Sequence, residues 1–230
     1  MAEQTLADLA LEHIGRYRIS FQKVLERVFD GQGDVAGAVR ALKTAKHVKS
    51  LGRAEGYGSV LGGYTAYQLT PQGAARAGVS VKRAKKLNEN SLESSFRVLW
   101  LCCMGKDRFA RLDEPHLLKL VEHPLKAKDS PYCIETAGKR RIYRVRLLGL
   151  HSDDQYALRE TRKDLLDCAA MPVLKEFVEH GRYGNLLVVS KPERRKRLED
   201  RIQANKLKRF GHVRVAEAPD LNEIGEALRG

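Results

Sequence analysis

A cluster of basic and polar residues in the first quarter of the chain has the chemistry to bind nucleic acid. Guanidinium, amide and hydroxyl groups can form hydrogen bonds with base edges in the major groove, and ammonium groups bind phosphates. The candidates for base contacts are Arg40, Lys43 and Thr44, together with the preceding turn residues Gln32 and Gly33. The candidates for phosphate contacts are Lys46, His47, Lys49 and Arg53. Double-stranded DNA is therefore the first partner to consider.

A helix that begins after Asp34 would present these residues. Asp34 is a helix-capping residue type, because its carboxylate can accept a hydrogen bond from a free amide of the first turn. The apolar residues Val35, Ala38, Val39 and Leu42 follow at spacings of three and four, which is the pattern of one buried stripe. The basic residues lie off that stripe, so the helix would turn them toward solvent.

A strand, a glycine-rich reversal and a second strand are predicted after this helix. The glycines of GRAEGYGSVLGGY at 52–64 allow a tight turn, and residues 64–69 alternate in the manner of a strand. Two more helices are predicted earlier, one capped by Thr5 and one capped by Ser20. Three helices and a hairpin form a winged helix-turn-helix, whose last helix enters the major groove of DNA. The same fold also mediates protein contacts, so it does not by itself fix the function.

The net charge of the chain favours a polyanionic partner. There are 42 Lys and Arg against 29 Asp and Glu, which gives a formal net charge of +13 and a sequence pI near 9.7. Basic runs occur at 81–86, 138–146 and 191–209, and the first of these adds Lys82, Arg83, Lys85 and Lys86 to the predicted phosphate contacts. Binding to phosphates releases condensed counterions, so affinity is expected to fall steeply as salt rises.

Several other classes of function find no support in the sequence. No stretch is long and apolar enough to cross a bilayer, no secretory leader is present, and the glycine-rich run at 56–63 lacks the ending of a phosphate-binding loop. The cysteines Cys102, Cys103, Cys133 and Cys168 lack zinc-ligand spacing and are expected to be reduced thiols. We therefore expect no metal and no cofactor, no membrane partner, and a cytoplasmic protein associated with the nucleoid or a plasmid.

The second half of the chain predicts an α/β layer. A hairpin is expected at 132–148, a helix at 153–180 that is continuous or broken at Pro172, and then two strands and two helices at 186–189, 192–206, 212–216 and 221–228. Strands that alternate with helices imply a partly parallel sheet. The predicted organisation is a DNA-binding domain at 1–79, a basic linker at 80–90 and an α/β domain at 91–230.

Three segments in this order resemble the plasmid replication-relaxation family. They are LTPQG at the end of the predicted hairpin, SLESSFRVLWL at 91–101, and GRYGNLLVVSKPERRKRLEDRI at 181–202. The resemblance covers nearly the whole chain and implies a winged helix joined to a domain similar to the PD-(D/E)XK nuclease fold. It also implies a role in replication, mobilisation or gene control on a mobile element. Winged-helix binders act on palindromic sites as two-fold dimers, so a homodimer is a further expectation.

The nuclease-like half departs from the pattern that Mg²⁺ chemistry requires. That chemistry needs two carboxylates that hold the metal against a phosphate. At the matching places the chain has Pro131-Tyr132 and the segment 145–147, without carboxylates, which predicts a catalytically empty scaffold. Two alternatives remain open. One is a relocated nuclease site built from Glu135, Asp153 or Asp154 and Lys163, and the other is an RNA-binding protein.

Overall fold

The computed structural model describes residues 4–52, 61, 64–105, 109–121, 131–138, 140–149, 151–223, 226 and 228. The chain divides into two compact units, one made of Met1–Met104 with Pro219–Gly230 and the other of Gly105–Ala218. Both units combine helices with a β-sheet, and the second sheet is partly parallel. The prediction of a mixed α/β protein is therefore confirmed.

The first unit contains five α-helices and three short strands among its described residues. They follow in the order α1 (Leu6–Tyr17), β1 (Ser20–Phe21), α2 (Gln22–Val28), α3 (Val35–Thr44), β2 (Val48–Leu51), β3 (Ala66–Leu69), α4 (Pro71–Arg76) and α5 (Glu89–Cys103), with a 3-10 turn at Val81–Ala84. The strands form an antiparallel sheet in the order β1-β3-β2. Leu11 and Ile14 of α1, Leu25 of α2, and Val39 and Leu42 of α3 belong to one buried core.

Capping residues explain where most of these helices begin. Thr5, Asp34 and Thr70 each accept a hydrogen bond from an amide of the first turn, as their residue types predict. Ser20 does not cap α2, so that prediction is wrong. Ser20 is instead a buried residue of β1, paired with Tyr67 of β3, and the sheet pairing moves the start of the helix to Gln22.

Helix α5 belongs to the first unit. Asn88 caps it, although Asn90 and Ser91 are capping residue types as well. Phe96 of α5 packs edge-on against Phe21, with ring centroids 5.8 Å apart. The division of the chain therefore falls after Met104, later than the linker predicted at 80–90, and part of that linker is the 3-10 turn.

The second unit is a five-stranded mixed sheet with helices between its strands. Its elements are β4 (Phe109–Leu112), α6 (Glu114–Val121), β5 (Tyr132–Glu135), β6 (Ile142–Leu147), α7 (Asp154–Ala170), α8 (Pro172–Glu179), β7 (Tyr183–Val189), α9 (Pro192–Ala204) and β8 (His212–Glu217). The strand order is β4-β5-β6-β7-β8, antiparallel from β4 to β6 and parallel from β6 to β8. All seven residues of β7 are buried, which fits a central parallel strand covered on both faces.

The structure settles one prediction for the second unit and adds one strand that was not predicted. The long helix is broken at Met171, because Pro172 begins a new helix and its ring excludes the preceding residue from helical geometry. Strand β4 was not predicted; its four residues become a strand by pairing with β5. Within the described residues, no helix combines the length and apolar character that crossing a bilayer requires.

Candidate nucleic-acid interface

Helix α3 has an apolar face and a polar face. Val35, Val39 and Leu42 are buried against the rest of the first unit. The exposed residues include Arg40, Lys43, Thr44 and Lys46, and the turn that leads into the helix exposes Gln32 and Gly33. All six are predicted DNA contacts from the sequence, and in the fold they lie on one helix or at its two ends.

Asp34 orders the start of α3 and contacts its first basic side chain. Asp34 Oδ1 accepts a hydrogen bond from the Gly37 amide at 2.8 Å, and Asp34 Oδ2 lies 3.4 Å from Arg40 Nη2. The side chains of Arg40 and Asp34 are 74% and 68% exposed. A solvent-exposed ion pair contributes little to stability. Breaking it to let the Arg40 guanidinium bind a ligand therefore costs little free energy.

The LTPQG segment fastens the other end of α3. Thr70 Oγ1 donates to the Lys46 carbonyl at 2.6 Å and accepts from the Gly73 amide at 3.0 Å, while the Thr70 amide donates to the His47 carbonyl at 3.0 Å. Lys46 has a left-handed φ of 57°. These bonds fix the path of the chain between α3 and β2, where Lys46 is exposed and His47 is half-buried.

The remaining predicted phosphate contacts have different surroundings. Lys49 is half-buried on β2, and Lys82, Lys85 and Lys86 are exposed. Arg83 Nη1 donates to the carbonyls of Gly15 and Arg16 at 2.7 and 2.8 Å, so this guanidinium satisfies the C-terminal end of α1 instead of facing solvent freely. Arg53 and nearly all of the glycine-rich run at 56–63 lie outside the described residues.

The carboxylates considered for a relocated nuclease site are held by other groups. Glu135 accepts from Arg141 at 3.0 Å and from Arg214 at 3.1 Å. Asp154 is buried and pairs with Arg194 and Arg197, and Asp153 caps α7. Lys163 is exposed on α7. In the part of the chain that the structure describes, no three His, Cys, Asp or Glu residues are grouped as metal ligands would be.

The second unit contains a buried polar cluster that the sequence did not predict. Asp164 of α7 accepts hydrogen bonds from Arg144 of β6, from the Tyr183 hydroxyl at 3.1 Å and from Asn185 Nδ2 at 2.8 Å. Burial and the nearby Asp164 carboxylate raise the pKa of Tyr183 well above its usual value, so the hydroxyl stays protonated and donates. The partners are about twenty residues apart in the sequence, and no local pattern could have joined them.

The comparisons with known proteins give no match. The chain matches no family model, no curated protein and no solved structure. The resemblance to the replication-relaxation family therefore stays a prediction, and the function is argued from the residues and their geometry.

Proposed function

We propose that the first unit is a winged helix-turn-helix domain that binds double-stranded DNA sequence-specifically through α3. The supporting observation is the pairing of a buried apolar face with an exposed basic face on this one helix. The order of helices and strands and the β1-β3-β2 sheet agree with the arrangement of such domains. The glycine-rich segment between β2 and β3 occupies the place of the wing in the sequence.

The dimensions of the duplex explain why α3 is the reading element. The major groove admits one α-helix, and each base pair presents a distinct donor and acceptor pattern there. Arg40 and Lys43 can donate to guanine, and Thr44 can contact bases of either kind. Lys46 at the end of the helix and Lys82 and Lys85 in the basic run would then bind phosphates, which set affinity and not sequence preference.

The exposed ion pair between Asp34 and Arg40 leaves Arg40 accessible to a ligand. Asp34 is the acid that pairs with Arg40, and it also serves as the helix cap. A phosphate or base edge would replace one weak, solvent-exposed ion pair, and the Asp34 cap of the Gly37 amide would remain. The proposed biological role is that of a transcriptional regulator or an accessory factor in the replication or mobilisation of a mobile element.

For the second unit we propose a PD-(D/E)XK-like scaffold without nuclease activity. Its support is the hairpin followed by parallel strands, together with the arginine pairing of Glu135 and Asp154. If it were a nuclease instead, Mg²⁺-dependent nicking of plasmid by the purified protein would disappear in Glu135→Ala or Asp153→Ala protein.

The proposed DNA-binding function is tested by selecting bound fragments from a random duplex pool with the intact protein. The expected result is enrichment of one duplex sequence in the presence of excess nonspecific competitor. A two-fold symmetric sequence would also support the homodimer. Failure to enrich any duplex, or equal affinity for folded RNA and duplex DNA at the same salt concentration, would contradict the proposal.

A further inference from the structure

A cleft of about 390 Å³ lies between helix α7 and the C-terminal end of α9 in the second unit. Its size falls in the range of natural small-ligand sites, about 300 to 1,000 Å³. The residues that line it are Gln155, Leu158, Arg159, Arg162, Arg201, Asn205 and Leu207. Three guanidinium groups, two amides and two leucine side chains thus meet in one cleft, and no acidic residue of the described part of the chain lines it.

The cleft arginines differ from most of the other described arginines of this unit. Seven arginines of the unit lie against carboxylates: Arg141, Arg144, Arg146, Arg194, Arg195, Arg197 and Arg214. Among the described residues no carboxylate pairs with Arg159, Arg162 or Arg201. The spacing in the sequence agrees, because none of the three has an acidic residue three or four positions away.

Clustering of unpaired like charges is unfavourable without a ligand. Arg159 and Arg162 are three residues apart on one helix, where like charges destabilise the helix. Arg201 is in the last turn of α9, where a cation is favoured by the helix dipole, but its side chain is half-buried in the same cleft. An anion bound among the three would relieve the repulsion.

Aromatic rings lie close to two of the three cleft arginines. The Arg159 guanidinium lies 5.2 Å from the centre of the Tyr156 ring, and the Arg162 guanidinium lies 4.8 Å from that of Phe210. Tyr156 is 54% exposed, so much of its side chain is open to solvent. Cationic groups that follow a backbone, with exposed rings on which bases stack, are the features of single-strand binding surfaces.

We propose that this cleft binds a backbone phosphate of single-stranded nucleic acid, and that Tyr156 stacks on a neighbouring base. Arginine forks match the oxygens of a phosphate, and the pairs they form are strong because both partners are charged. Gln155 and Asn205 can bond to a base edge or a sugar, and the leucines give the cleft an apolar wall. This site goes beyond the duplex contact of α3 and uses none of its residues.

The test measures binding of a fluorescein-labelled dT12 oligonucleotide by anisotropy with the intact protein. The double variant Arg159→Gln/Arg201→Gln removes two charges from the cleft. Lys163→Gln/Lys196→Gln is the matched control, because it removes two exposed charges from the same two helices without touching the cleft. The cleft variant is expected to bind at least about tenfold more weakly, and the control variant less than about twofold more weakly, since only the former loses direct phosphate contacts.

Three further measurements separate this site from other sources of binding. Tyr156→Ala is expected to weaken dT12 binding while Tyr156→Phe preserves it, because only the ring stacks. The cleft variant should retain its affinity for a duplex selected through α3. The proposal for duplex binding and the proposal for single-strand binding are therefore tested independently. Free dTMP should displace dT12 poorly, because a single nucleotide lacks the neighbouring base.

The proposal is overturned by any of three results. The first is equal loss in the cleft and control variants, which would indicate nonspecific attraction by net charge. The second is dT12 binding that neither arginine substitution nor Tyr156→Ala changes. The third is displacement by free dTMP at the same nucleotide concentration as dT12, which would assign the cleft to a free nucleotide.

Discussion

Gly73 lies so close to the backbone of His47 that a Cβ added at Gly73 would overlap the His47 carbonyl oxygen. The same carbonyl accepts the Thr70 amide, so it cannot move away without breaking the link between α4 and the end of α3. The glycine of the LTPQG segment is therefore required by a close backbone approach and not by its own φ.

The contact between Gly73 and His47 predicts a large effect of Gly73→Ala. The added methyl group must push apart two backbone segments, and the free energy of unfolding should fall by about 3 kcal/mol or more. Urea unfolding followed by fluorescence of Trp100, which lies in α5 of the same unit, measures this. Gly52→Ala is the control, because a Cβ there meets no atom of the described residues within 4 Å; equal midpoints in the two variants would refute the explanation.

Asp164 is predicted to be the most important carboxylate for the stability of the second unit. Its side chain is 6% exposed and that of Arg144 is 25% exposed, so removing the acid leaves a largely buried cation without its partner. Asp164→Ala should lower the free energy of unfolding by about 3 kcal/mol, the low end for buried pairs because Arg144 keeps some solvent contact.

The control for Asp164 is Asp167→Ala, an exposed acid on the same helix, which should change the free energy of unfolding by no more than about 0.5 kcal/mol. Urea unfolding followed by far-ultraviolet circular dichroism compares the two variants. Similar midpoints would show that the cluster around Asp164 does not stabilise the unit.

These elements show what the sequence could and could not predict. Thr5 and Asp34 act locally, within three residues of the amides they cap, and the predictions that they cap helices are confirmed. Ser20 has the same capping chemistry, but pairing with a strand more than forty residues away decides its structure. The Arg144–Asp164 pair and the α7–α9 cleft likewise depend on tertiary proximity, which periodicity and spacing do not contain.

His13 predicts a pH dependence of stability in the first unit. Burial, with a smaller contribution from the charge of Arg16, lowers the pKa of His13 from 6.5 to about 3, so the folded protein keeps the imidazole neutral. Below pH 6.5 the unfolded chain binds a proton that the folded one does not, and the free energy of unfolding falls with decreasing pH until about pH 3.

Replacing His13 by leucine should remove this contribution. Between pH 7 and pH 5, His13→Leu is expected to lose about 2 kcal/mol less of its unfolding free energy than the wild type, at about 1.4 kcal/mol per pH unit below 6.5. Trp100 fluorescence in urea at several pH values measures the difference. Parallel pH profiles for the two proteins would contradict a neutral, buried His13.

Lys82 is predicted to contribute affinity for DNA without sequence preference. Lys82→Ala should weaken binding to all duplexes alike and reduce the slope of log Kobs against log salt concentration by about 0.9, the value for one phosphate contact. Lys119→Ala, which removes an exposed charge from α6 in the second unit, should leave the slope unchanged. Identical slopes in the wild type and both variants would exclude a phosphate contact at Lys82.

The role of α3 in reading DNA is tested most directly by the ratio of affinities for a selected duplex and a scrambled duplex of the same composition, measured at one salt concentration. If Arg40 contacts a guanine edge, Arg40→Ala should lower the free-energy difference that corresponds to this ratio by about 1 to 3 kcal/mol. Arg27→Ala, which removes the same charge from an exposed position on α2, should leave the ratio unchanged. An unchanged ratio in Arg40→Ala, or the same fall in both variants, would contradict base recognition by α3.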